Sequence, residues 1–232
     1  DTLAAAITRR TRLIMLNTPH NPTGTVWHAD DMRKLAEILA PTNVLLLSDE
    51  VYEHMVYDGV PHASVARIPE LAHRAFVVSS FGKTYHVTGW KVGYVAAPAA
   101  LMAEFRKVHQ FNVFTVNTPV QHGLANYMAD PRPYLELPAF YQRKRDLFRA
   151  GLENTRFKLL PCQGTYFQCV DYSAISDLPE AEFAKWLTSE IGVAAIPVSA
   201  FYSQPHESGV VRFCFAKKDE TLQVALERLS KV

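Results

Sequence analysis

The fold of this 232-residue chain turns on Ala75-Phe76-Val77-Val78-Ser79-Ser80-Phe81-Gly82-Lys83-Thr84-Tyr85-His86-Val87-Thr88-Gly89-Trp90-Lys91-Val92-Gly93-Tyr94. The run Ala75 to Val78, and a second from Val92 to Ala97, are short, apolar and rich in β-branched residues, which predicts two buried strands. Between them lie serine hydroxyls, Lys83, Lys91 and glycines. Hydroxyls and lysines on flexible backbone suit an oxyanion such as phosphate. A lysine amine kept dry beside a second cation becomes a nucleophile toward carbonyls. A surface loop with two solvated lysines fits the same letters, so this stretch alone leaves both open.

Working outward, apolar runs at 12–16 and 44–47 and a helical face over 29–39 alternate with the 75–80 and 92–97 strands. That alternation predicts an α/β fold with a mostly parallel sheet. Val44 to Leu47 is apolar throughout, as in a parallel strand covered on both faces. The first strand runs into Asn17-Thr18-Pro19-His20-Asn21-Pro22-Thr23-Gly24, a structured turn where Pro22 restricts the Asn21 backbone. It is punctuation before a helix, or a ligand contact at a strand's carboxyl end. The second strand ends in Ser48-Asp49-Glu50-Val51-Tyr52. A carboxylate at a buried strand tip calls for a cationic partner for Asp49, unless Ser48 or Asp49 only caps a helix. Helices are expected from Pro98 to His109 and from Asn117 to about Met128, the latter opened by Pro119.

Near Asp130 the pattern changes. A long helix is predicted from Tyr134 to Asn154, with Arg143, Lys144, Arg145 and Arg149 on a solvated side. Strands near 157–161, 165–170, 193–196 and 210–215, a helix at 179–191 and a capped helix from Asp219 to Lys231 make a smaller α+β domain. Arg212 stands in an apolar strand, where an arginine needs an anionic partner, either an internal acid or a ligand.

Composition excludes several classes. Formal net charge is +1 with no basic block, which gives no electrostatic reason for nucleic acid or an anionic membrane. Cys162, Cys169 and Cys214 lack metal-site spacing and read as free thiols in a reducing, cytoplasmic setting. The histidines are scattered, and no metal is expected.

Taken together, these segments resemble the pyridoxal phosphate-dependent aminotransferases of fold type I, class I/II, in the branch of the kynurenine, glutamine and methionine aminotransferases. The matching segments are NTPHNPTG (17–24), SDEVYEH (48–54), SSFGKTYHVTGWKVG (79–93), NTPVQ (117–121), GTYF (164–167) and VRFCFAK (211–217), in the family's order. The resemblance implies that Lys83 forms the Schiff base with the cofactor aldehyde and moves the substrate proton. It implies that Asp49 pairs with the pyridinium nitrogen, that Tyr52 and Asn21 bond the ring's phenolic oxygen, and that Ser80 and Lys91 hold the phosphate. Position 91 is lysine where related branches have arginine. Arg212 would clamp the substrate α-carboxylate, with Asn21 and Tyr166 beside the substrate.

The implied reaction is ping-pong transamination between an L-amino acid, aromatic or sulfur-containing, and a 2-oxo acid, in a homodimer. Residues 1–130 would be the C-terminal part of the cofactor-binding large domain, and 131–232 the small domain. Family members are longer, so the chain is expected to be an N-terminally truncated piece with an incomplete large-domain sheet, inactive by itself. Carbon–sulfur β-elimination of cysteine conjugates uses the same Lys83 and Asp49, and a non-catalytic effector domain shares the scaffold.

Overall fold

The computed structural model describes residues 2–204 and 206–232, and the chain divides into two compact units. The first comprises Asp1–Pro19, Val26–His54 and Pro61–Glu136; the second comprises His20–Thr25, Met55–Val60 and Leu137–Val232.

In the first unit the elements are α1 (Thr2–Ala6), β1 (Leu13–Asn17), α2 (Ala29–Leu39), β2 (Leu45–Asp49), α3 (Pro69–Ala72), β3 (Ala75–Ser80), α4 (Phe81–Thr84), β4 (Gly93–Ala96), α5 (Ala99–Asn112), α6 (Thr118–Tyr127) and α7 (Arg132–Leu135). The sheet runs β1-β2-β3-β4, with β1, β2 and β3 parallel and β4 turned back antiparallel to β3. Asn17 pairs with Asp49 and Asp49 with Val78, so the carboxyl ends of three strands share one edge. That edge is where open α/β sheets receive ligands.

One face of this sheet is a packed core. Met32, Leu35 and Leu39, on one side of α2, are buried with Leu16, Leu46 and Ala75 of the strands and with Val65 and Leu71 of the connection between β2 and β3. Each buried Leu, Met or Val among them contributes roughly 1.5–3 kcal/mol by leaving water. The helix starts where Asp31 Oδ2 accepts from the His28 N–H at 2.9 Å, an acidic group at the positive end of the helix. The opposite face differs from the expectation of a doubly covered sheet. Helix α5 reaches β3 through Phe105 against Phe76, but Met15 is 72% and Leu13 42% exposed on β1. An apolar run reports that a strand prefers burial, and it does not supply the covering element. On α5 itself Phe111 and Val108 are also exposed.

The second unit contains α8 (Leu137–Leu152), β5 (Lys158–Leu159), β6 (Phe167–Asp171), α9 (Glu180–Trp186), β7 (Ile196–Pro197), β8 (Val210–Cys214) and α10 (Asp219–Leu229). Its strands form an antiparallel sheet in the order β5-β6-β8-β7. Its core is aromatic: Tyr172 stacks on Phe183 at 3.8 Å, and Phe148 and Phe157 meet Phe213 edge-on at 5.8 and 5.9 Å.

Two predicted helices are broken. The 134–154 helix is α7 and α8, separated at Glu136, because Pro138 has no N–H to continue a ladder and serves only in a first turn. The 179–191 helix is α-helical to Trp186, then widens into a π turn over Leu187–Ile191 that Gly192 ends at φ 74. The capped start expected at Asp219 is absent: Lys218 holds the cap position without a side-chain bond.

The basic stripe of α8 is also not a solvated face. Lys144 and Arg145 are buried. Lys144 Nζ donates to the Lys217 carbonyl at 2.8 Å and to Asp219 at 2.5 Å. Arg145 forks onto Asp58 at 2.7 and 2.6 Å and donates to the Cys162 carbonyl at 3.1 Å. Arg149 donates to the Leu160 carbonyl and to Gln168. Only Arg143 stays on the open side. The long stems cover apolar surface while the heads reach acceptors distant in sequence, which a helical repeat cannot reveal. The Arg145 fork holds the Asp58 carboxyl below its usual value. Arg145→Met should therefore lower stability by about 2 kcal/mol, or about 4–8 °C in Tm, while Arg143→Met stays within about 0.5 kcal/mol in thermal melts followed by circular dichroism.

Candidate active site

Asp49 ends β2 at the carboxyl edge. Its backbone carbonyl accepts from the Asn17 side-chain amide at 3.1 Å and from the Thr18 N–H at 3.0 Å, which ties β1 and β2 where they finish. Its own Oδ1 accepts from the Val51 N–H at 3.1 Å, a turn bond that aims the half-buried carboxylate. Among the described residues Asp49 forms no ion pair. The acid beside it behaves differently. Glu50 is buried, accepting from Ser48 Oγ at 2.9 Å and the Val65 N–H at 3.1 Å, with His62 Nε2 at 2.8 Å. Burial works to raise the Glu50 pKa, but His62 and the hydroxyl donors outweigh it and hold the carboxyl below its ordinary value.

Tyr52 follows Asp49 by three residues and is 3% exposed. Lys83, half-buried on the single-turn helix α4, places Nζ 6.0 Å from the Tyr52 ring centroid. Ser80 sits at the start of α4, yet its hydroxyl caps no helix N–H. Gly82 lies so near Thr88 that a Cβ would come within 2.9 Å of its Cα, and one on Gly93 would meet the Ser79 carbonyl at 2.7 Å. The turn between β3 and β4 is thus closed by glycines. Since Ser80 pairs with Gly93, Lys91 returns to the Ser80 end of β3, exposed, at φ 57.

A cavity of about 410 Å³ opens beside Ser80, walled in part by Glu53, Tyr85, Tyr94 and Tyr134. Of the unit's sequence-singled residues, Ser80 lines it, whereas Asp49, Tyr52, Lys83 and Lys91 do not. Glu53 accepts from Ser79 Oγ at 3.1 Å and from the Tyr94 hydroxyl at 2.9 Å. Burial first, and then the Glu53 charge, push the Tyr94 phenol up to about 12.

The other three singled-out residues, Asn21, Tyr166 and Arg212, lie in the second unit. The 20–25 turn is tied to the 163–164 turn: Gln163 and Gly164 N–H both donate to the Gly24 carbonyl, at 2.8 and 2.9 Å. Gly24 has φ 71, a conformation that glycine adopts without strain. This turn sets Asn21 against β8, where Asn21 Oδ1 accepts from Arg212 Nη1. The Arg212 guanidinium carbon stands 3.9 Å from the Phe167 ring centroid and 5.2 Å from that of Phe201. Tyr166 is half-buried, its ring 4.6 Å from Phe167 and 5.7 Å from Tyr141.

Sequence reasoning passed over Glu50, Glu53, Tyr94, Phe167 and Phe201. Phe167 is in the GTYF segment and Glu50 adjoins Asp49, so proximity to singled-out residues could have flagged both. Phe201 carries no local signal, because its relation to Arg212 exists only through the fold.

Residues 1–229 match the family model described as aminotransferase class I and II. Methionine aminotransferase of Escherichia coli (strain K12) is 53% identical over 230 residues, covering 99% of this chain and 60% of that protein. Kynurenine–oxoglutarate transaminase 1 of Rattus norvegicus is 38% identical, with 99% and 59% covered. A crystal structure from Escherichia coli, reported with a methionine aminotransferase function, superposes with a TM-score of 0.97 at 52% identity, covering 100% of this chain and 61% of that one. N-succinyldiaminopimelate aminotransferase from Mycobacterium tuberculosis gives 0.93 at 37% identity, with 99% and 60% covered. The chain spans about 60% of the length of these relatives.

The Glu50 network has a pH signature. A carboxyl whose folded pKa is depressed stabilises fully above the unfolded value near ~4.3, and that contribution is lost as pH falls through the folded value. Glu50→Gln should cost about 1–3 kcal/mol at pH 7, and the gap to the unmodified protein should shrink at pH 3.5 in urea titrations. A gap that stays constant with pH would contradict this account.

Proposed function

The chain belongs to the class I and II aminotransferase family, and from that premise we propose that the whole protein is a pyridoxal phosphate-dependent aminotransferase moving an amino group between an L-amino acid and a 2-oxo acid. The observation that carries the reading is the donor set in the first unit. A half-buried carboxylate without an ion pair among the described residues (Asp49), a buried phenol (Tyr52) with Lys83 Nζ 6.0 Å from its ring, a serine hydroxyl that caps no helix (Ser80) and the returning Lys91 all stand at the ends of β2 and β3 or in the turn that follows. A cationic ring with a phosphate arm fits that set. Bound there, pyridoxal phosphate supplies an aldehyde carbon and a ring that accepts an electron pair from the substrate.

Lys83 Nζ would hold the aldehyde carbon and, once a substrate amine displaces it, carry the proton taken from the substrate Cα. Asp49 would keep the proton on the ring nitrogen. Tyr52 and Asn21 would donate to the phenolic oxygen. Ser80 and Lys91 would hold the phosphate, Lys91 as a point charge without an arginine's fork. Arg212 would bind the substrate α-carboxylate bidentately, with Asn21 and Tyr166 beside it, fixing which Cα bond is broken.

The methionine and kynurenine names of the relatives favour sulfur-containing and aromatic donors. We assign residues 1–130 to the cofactor-binding large domain and 131–232 to the small domain, in a cytoplasmic homodimer. No helix among the described residues is long and apolar enough to cross a membrane.

In the whole protein supplied with pyridoxal phosphate, borohydride should fix the cofactor to the peptide containing Lys83, and peptide mass mapping reads the site. Lys83→Ala should lower kcat for methionine with a 2-oxo acid acceptor by about 10³-fold or more. Label on another lysine would refute the assignment.

A further inference from the structure

Arg212 is a long side chain whose head must keep one orientation if it is to receive a carboxylate as a fork. Phe167, from the neighbouring strand β6, lies against it at 3.9 Å. Phe201 lies against it at 5.2 Å and is 48% exposed, so its own burial does not account for its position.

That position traces to one buried carboxylate. Glu180, at the start of α9, is fully buried. Its Oε2 accepts from the Ser199 N–H at 2.6 Å, two residues before Phe201. Its Oε1 accepts from the Ser208 N–H at 2.8 Å, the Ser208 hydroxyl at 3.0 Å and the Val210 N–H at 3.2 Å. Val210 opens β8, two residues before Arg212. One carboxylate thus holds both flanks of the segment that carries Phe201. Burial alone would raise its pKa, but the backbone donors of Ser208, Ser199 and Val210 hold it below the ordinary value. The Ser199 end is continued by the Tyr202 N–H donating back to the Ser199 carbonyl at 3.1 Å, which closes the turn on which Phe201 sits.

We propose that Phe201 is a positioning residue for Arg212, holding the guanidinium for a substrate α-carboxylate, and that Glu180 fixes Phe201 there by bonding both flanks of its segment. The proposal rests on the reading of Arg212 as the carboxylate anchor. An aromatic ring attracts a cation and restricts its swing, which a leucine of similar size does not reproduce. The role is thus one of affinity and orientation, and proton transfer stays with Lys83.

The test uses the whole protein with its cofactor and an unreactive probe, 4-(methylthio)butanoate, which keeps a carboxylate and a thioether but has no amine. Phe201→Leu should weaken the probe's Kd in titration calorimetry, and raise KM for methionine, by about five-fold, with kcat changing less than two-fold. Phe201→Tyr should restore values near the original. The Tm of both should stay within about 2 °C, because the side chain is half exposed. Glu180→Gln should weaken the probe as well, and adding Phe201→Leu to it should weaken the probe little further, since the two act as one unit. Arg212→Lys is run alongside. If it weakens the probe while Phe201→Leu does not, the proposal fails and the anchor reading stands. If Arg212→Lys leaves the probe unaffected, the anchor reading fails and takes the proposal with it. Fully additive losses from Glu180→Gln and Phe201→Leu would overturn the Glu180 link.

Discussion

The parallel pairing of β1, β2 and β3 is the constraint on which the first unit depends. Parallel strands end together, so the residues that follow their last hydrogen bonds emerge at one edge. Asn17, Asp49 and Ser80 are far apart in sequence and share that edge for this reason alone. The alternation of a β-strand then separates two adjacent acids. Glu50 turns into the core and is satisfied there by Ser48, His62 and Val65, while Asp49 keeps its carboxylate at the edge with a turn bond from the Val51 N–H. One acid is satisfied inside the core, and the other stands at the strand end where open α/β sheets receive ligands.

The second unit applies the same economy of charge through different partners. Its buried ionic groups join distant segments: Arg145 to the 55–60 stretch, Lys144 to the start of α10, and Glu180 to both ends of the 199–210 segment. A charge in such a place is costly unless every donor or acceptor is met, and here each finds several partners. The segment held by Glu180 carries Phe201 and leads into β8 with Arg212, while the turn that carries Asn21 is tied by the Gln163 and Gly164 N–H groups to the Gly24 carbonyl. Their placement therefore follows from structural ties that have no chemical task of their own.

Much of this was legible from the letters. The strand at 75–80, the helix at 29–39 and the cap of α6, where Asn117 accepts from the Val120 N–H, follow from periodicity and end signals that are local in sequence. Membership in the family was legible because short segments around Asp49, Lys83 and Arg212 occur in one order. Less legible were features that depend on what a side chain meets across the fold. The α8 arginines and lysine looked solvated because their acceptors lie dozens of residues away. The π turn at Leu187 and the break at Glu136 arise from backbone competition that a 3.6-residue repeat does not encode. The open outer face of β1 could not be read, because apolar letters state a preference for burial and not its fulfilment.

The sequence by itself determined the class of fold, the positions of most elements and membership in the family, since each depends on residues and their near neighbours. Only the tertiary structure decided which of two adjacent acids is buried, how the turn after β3 returns Lys91 to Ser80, and that Phe201 lies over Arg212. Those are contacts between segments remote in the chain, set by strand register, by tight glycine packing and by the geometry of a single buried carboxylate.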